Sequence, residues 1–233
     1  MIMKKYVSLF AALLICVASW AQKDVTTFLG IPVDGYKNEM KQKLIEKGFT
    51  YDSTLDMLEG EFNGKSVLIS IVTNNNKVYR ILVMDKNAVS ETDIKIRFNI
   101  LCKQFKNNKR YFHGFEKQSI PEDEDISFQM TVNNKRYEGS YMQMFNKELL
   151  DTAAVSSKAY ETISKKYTAE QLLNPSEEIV TEFTDAYNKI INNYTWDIVQ
   201  NKTVWFLIKE DGADYRIIMY YDNKYNEANG EDL

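Results

Sequence analysis

An antiparallel α+β fold follows from three features of this sequence. Several β-rich runs are separated by tight-turn signals, among them Asn63-Gly64, Asn74-Asn75-Asn76 and Glu210-Asp211-Gly212. Sequential strands joined by such turns pair antiparallel. Longer segments with apolar residues at helical spacing lie between these runs, so helices pack on the sheet rather than alternating with every strand. The composition, 44% hydrophobic and 27% charged with three Pro and nine Gly, is that of a chain that buries a core. The expectation is a sheet of about seven strands with helices packed on it. Two tandem α+β units divide the chain at 22–115 and 116–233, and one continuous domain is the alternative.

The chain opens with Lys4-Lys5, an apolar run from Val7 to Val17 and the small-x-small exit Ser19-Trp20-Ala21 before Gln22. This pattern reads as a secretory signal peptide covering 1–21, because a transmembrane anchor needs about 20 apolar residues. Lipidation at Cys16 is the competing reading, but it requires a small residue where Ile15 stands. The expected address is therefore periplasmic or extracellular, with no transmembrane segment. Removal of 1–21 leaves Cys102 as the one cysteine, so no disulfide can form within the chain.

The elements follow in order. Asp34 is the expected cap of a helix carrying Tyr36, Met40 and Leu44, stopped at Lys47-Gly48. A meander comes next, with strands Leu55 to Phe62, Val67 to Thr73 and Val78 to Met84. Ser90 to Asp93 opens a helix whose stripe is Ile94, Phe98, Leu101, Cys102 and Phe105. A connector from His113 to Asp125 contains Pro121 and the acidic run Glu122 to Asp125. Alternation of Ile126, Phe128, Met130 and Val132 with polar residues predicts a strand, paired through Asn133-Asn134 to Tyr137 to Phe145. Val155, Ala159, Ile163 and Tyr167 mark another helix. Asn174-Pro175 is expected to start the next, with Ile179, Phe183, Tyr187, Ile190, Ile191 and Tyr194 on one face. The hairpin Thr203 to Lys209 and Tyr215 to Asp222 completes the chain. Each half joins a meander or hairpin to a long helix, which suggests a duplication.

The phrases Phe28-Leu29-Gly30-Ile31-Pro32-Val33-Asp34-Gly35 and Leu44-Ile45-Glu46-Lys47-Gly48-Phe49, with the ending from Tyr220 to Leu233, resemble those of uncharacterised secreted proteins of gut Bacteroidetes. The resemblance covers nearly the whole mature chain, and the C-terminal phrase is its most specific part. It implies a tandem α+β fold similar to a β-lactamase inhibitor or a TATA-binding protein, and it carries no catalytic residues.

Charge and motif content exclude several functions. The net charge is −4, and −6 without Lys4 and Lys5, which disfavours a nucleic-acid backbone as partner. There is no Gly-rich phosphate loop, nucleophile elbow or His-Glu-x-x-His. One histidine, His113, and Cys102 give poor material for a Cys-His mechanism or a zinc site, and both read as structural. Paired carboxylates are the enzymatic inventory that remains. Asp222, Asn223, Asn226, Asn229, Glu231 and Asp232 are oxygen donors of the calcium type, but Lys224 breaks the loop pattern, so a docked polar tail is the preferred reading. Ser53 in Asp52-Ser53-Thr54 and Thr152 in Asp151-Thr152-Ala153 fit the acceptor triplet of Bacteroidetes O-glycosylation.

No cofactor is expected. The reading is a non-enzymatic binding module for a protein of the cell envelope; the alternatives are a glycan or small-ligand binder and, less favoured, a carboxylate enzyme. Trp205 is the leading partner-facing residue and Tyr220 the second. Both lie on the less demanding side of strands that are apolar on both sides. Either helices cover both faces of that sheet, or the second face serves recognition.

Overall fold

The computed structural model describes residues 24–112, 119–228 and 230. The expected signal peptide, Cys16, His113 and the ends of the C-terminal phrase at Asn229 and Glu231 to Leu233 lie outside the described residues. The fold is α+β: an antiparallel sheet of eight strands, a two-stranded hairpin and helices packed on the sheet.

The chain begins with the hairpin β1 (Thr27–Phe28) and β2 (Ile31–Pro32), whose turn Leu29-Gly30 has φ of 52° and 80°. Helix α1 (Lys37–Glu46) follows, burying Met40 and Leu44 and stopping before Gly48 at φ 99°. The expected cap is corrected: Tyr36 occupies the N-cap without a side-chain bond, and Asp34 instead accepts from the Gly35 amide and from Asn226. Strands β3 (Thr50–Asp52), β4 (Met57–Phe62), β5 (Lys65–Asn74) and β6 (Lys77–Asp85) form a meander. Its turns carry left-handed residues at Asn63-Gly64 and Asn75-Asn76, as two-residue hairpins require.

Helix α2 (Glu91–Asn107) is capped by Ser90, whose hydroxyl oxygen accepts from the Asp93 amide, and it buries Ile94, Phe98, Leu101 and Phe105. Strand β7 (Tyr111–Phe112) leads to α3 (Ile126–Asn133). Here the expected strand is overturned, since the segment is a helix. Asp125 caps it by accepting from the Phe128 amide, and Asn134 ends it in the left-handed conformation. Strand β8 (Glu138–Gln143), helices α4 (Thr152–Ser164), α5 (Ala169–Leu173) and α6 (Glu177–Val199), and strands β9 (Lys202–Asp211) and β10 (Asp214–Asn223) complete the order. Ser176, rather than Asn174, caps α6; Asn174 closes α5. Helices α4 and α6 pack on one another with Val155, Ala159, Ile163 and Ile179 buried. Phe183, Tyr187, Ile190 and Ile191 are half-buried, and Tyr194 is exposed.

The sheet order is β3-β4-β5-β6-β10-β9-β8-β7. Each half of the sheet is therefore one helix followed by four successive strands, α1 with β3 to β6 and α2 with β7 to β10. The last strand of each meander pairs with the last of the other, Ile218 opposite Met84 and Asp222 opposite Arg80. Helices α1 and α2 both pack on one face, whose strand residues are fully buried: Val67, Ile69, Ile81, Val204, Phe206 and Ile217. Phe206 packs edge-on against Phe98 of α2, with ring centroids 5.1 Å apart. Among the described residues no helix is long and apolar enough to cross a membrane.

Candidate functional site: the open face of the sheet

Side chains alternate along a strand, so every buried residue on the helix side has a neighbour aimed the other way. Over Val67–Val72 of β5, Arg80–Met84 of β6, Thr203–Ile208 of β9 and Tyr215–Tyr221 of β10 these neighbours are half-buried where the others are buried; beyond Tyr221 the pattern stops, and Asp222 on the second face is buried. The second face is thus in contact with solvent. The registers lay it out in rows. One row runs Ser140, Trp205, Tyr220, Leu82, Ser70 across five strands. A flanking row runs Leu207, Ile218, Met84, Leu68, and the other runs Met142, Thr203, Asp222, Arg80, Val72.

Trp205 and Tyr220 are direct cross-strand partners and stack, with ring centroids 4.0 Å apart and planes at 15°. Asp222 sits beside them with its residue only 6% exposed. Its carboxylate accepts from Arg80 Nε at 2.6 Å and Nη2 at 2.8 Å, and from Trp205 Nε1 at 2.8 Å. Such a two-pronged pair fixes both groups in a plane. The Arg80 guanidinium lies 4.9 Å from the Tyr220 ring centre and 5.6 Å from that of Trp205, within cation–π range. The Asp222 hydrogen bonds push the Arg80 pKa up, and burial pushes the Tyr220 hydroxyl up. Trp205 and Tyr220 are thereby held rigid, and the charges beneath them are matched.

The C-terminal phrase takes part in this arrangement through its described residues. Asn223 donates to the Val33 carbonyl, and Asn226 donates to Asp34 and to the Val78 carbonyl. Thr26 donates to the Asp222 carbonyl. Of the residues read as calcium ligands, the described Asn223 and Asn226 thus use their side-chain amides to dock the tail to the segment after β2 and to β6, and Asp222 is paired with Arg80 and Trp205. Among the described residues no group of three or more His, Cys, Asp or Glu side chains is placed to hold a metal. The acidic run is likewise engaged: Glu124 accepts from Lys135 and Tyr137, and Asp125 caps α3. Cys102 is half-buried on α2, and burial pushes its thiol pKa up. Ser53 and Thr152 are both exposed.

Sequence reasoning placed Trp205 and Tyr220 on the second face, and that is where they lie. It missed Arg80 and Asp222 as their support. A charged residue inside the apolar run Val78 to Met84 was the available signal, because a charge within a strand calls for an opposite charge across from it. No protein-family model, curated protein or solved structure matches the chain.

Proposed function

We propose that this protein is an exported, non-enzymatic binding module that grips a protein of the cell envelope with its open sheet face, centred on Trp205 and Tyr220. The supporting observation is the immobilised aromatic pair at the middle of that face. Asp222 accepts the indole N–H and two N–H groups of the Arg80 guanidinium, so the pair is preorganised and the Arg80 charge beside it is matched. Aromatic anchors held rigid are what interface centres use, because little side-chain entropy is lost on contact.

The test is capture from envelope extracts with the mature protein, comparing wild type with Trp205→Ala after thermal unfolding of both. Partner capture by wild type and its loss in a variant that stays folded at the assay temperature is the expected result. Equal capture by both, or a thermal shift with polysaccharides in place of any protein partner, would overturn the reading.

A further inference from the structure

A recess on the helix side of the sheet suggests a second binding site. A cavity of about 720 Å³ opens between the β1–β2 turn, the end of β4, the start of β7 and the exit of β8. Leu29, Phe62 and Phe145 give it apolar walls, while Lys109, Arg110 and Lys202 bring positive charge. Lys202 is only 3% exposed, and its ammonium donates to the Asp24 carboxylate at 2.5 Å and to the Met144 carbonyl at 3.0 Å. That charge is therefore matched. Lys109 and Arg110 differ: among the described residues neither has a carboxylate within ion-pair reach. In a chain of net charge −4, two cations without an ion-pair partner among the described residues thus meet at one cavity. A smaller recess of about 180 Å³ shares Phe62, Tyr111 and Tyr221 with it and continues over Leu101, Phe105 and Met219.

The β1–β2 turn adds an independent observation. A two-residue turn with positive φ at both positions favours Asn-Gly, yet Leu29 occupies the first at φ 52°. The left-handed region is costly for a residue with a branched apolar side chain, and such outliers gather where a ligand is held. Leu29 lines the cavity and is 39% exposed, so its side chain is not there to fill the core.

We propose that this cavity binds a small amphiphilic carboxylate, its charge on Lys109 and Arg110 and its apolar chain along Leu29, Phe62 and Phe145. The cations recognise the head by charge-assisted hydrogen bonds, and the walls remove the chain from water. The probes are octanoate, octanol and inorganic phosphate, titrated into the mature protein by calorimetry and thermal shift. Octanoate binds and raises the melting temperature, while octanol and phosphate at equal concentration do not. Lys109→Ala with Arg110→Ala, both at exposed positions, leaves folding intact and weakens octanoate roughly tenfold or more. Leu29→Asn raises the melting temperature of the free protein and weakens octanoate, a pairing that a purely structural role for Leu29 would not give. No response to octanoate, an equal response to phosphate, or full octanoate binding by the double variant would each overturn the proposal. So would loss of binding in Trp205→Ala alone.

Discussion

Arg80 and Asp222, 142 positions apart in the chain, stand directly opposite one another where the two meanders join, and they are held by two parallel hydrogen bonds. The pair closes the seam between β6 and β10, and it anchors the indole of Trp205. Asp222→Ala leaves a guanidinium and an indole N–H without their acceptor in a largely buried setting. The expected cost is about 3 kcal/mol by urea unfolding, with Asp222→Asn losing roughly half as much because an acceptor remains.

Trp205 and Phe206 are adjacent on β9 and face opposite ways, which gives an internal control. Phe206 is fully buried among Phe98, Phe105 and Tyr141, so Phe206→Ala should cost about 3–5 kcal/mol. Trp205→Ala should cost clearly less, because its ring retains contact with solvent and leaves no closed cavity. Denaturant midpoints of the two variants measured side by side test the difference.

Gly60 lies beneath the Phe49 ring. A Cβ at that position would come within 2.5 Å of Phe49 Cδ1, and Phe49 is itself buried at 4% exposure. Gly60→Ala is expected to destabilise by about 1–3 kcal/mol through overpacking. A double variant with Phe49→Leu should recover part of the loss, and thermal melts of the three chains decide it.

Glu124 accepts from Lys135 and Tyr137, and these bonds hold its carboxyl below the usual glutamate range. A depressed folded-state value stabilises the protein above the unfolded value of about 4.3, and the contribution is lost as pH falls below that. The wild type should therefore lose stability between about pH 5 and 3 more steeply than Glu124→Gln. Chemical denaturation across that range would show parallel profiles if Glu124 were uncoupled from folding.

Burial holds the Cys102 thiol pKa above its ordinary value. Since the thiolate is the reactive form, labelling by a thiol reagent at neutral pH should be slow in native buffer. It should reach the rate of a free thiol once denaturant unfolds the chain; fast native labelling would contradict this.

The hairpins β4–β5, β5–β6 and β9–β10, both long amphipathic helices and the sidedness of Trp205 and Tyr220 were legible because each depends on local pattern. In β9 and β10 alternation alone separates Trp205 from Phe206. The segment from Ile126 to Val132 shows where such reading fails. Residues two apart fall on opposite sides of a helix, so a period-2 pattern makes two stripes there: Ile126 with Met130, and Phe128 with Val132. Ile126 is buried and Met130 packs on the core, while Phe128 and Val132 are half or more exposed. The ends decided the outcome, through the Asp125 cap and the bond from the Lys135 amide to the Gln129 carbonyl. Asn133-Asn134, read as a hairpin turn, is a helix terminus. Arg80 and Asp222 were not legible as a pair, because only the union of the two meanders brings them together.

The eight-stranded sheet narrows at both rims. Its middle strands β5, β9 and β10 are ten residues long, whereas β3 has three residues and β7 two. An unpaired edge is where a stray strand adds and polymerisation begins. A guest strand arriving at β3 or β7 itself meets an edge of only three or two residues. Short rims of this kind shorten the backbone ladder that a second copy could add there, which favours association through the side chains of the open face.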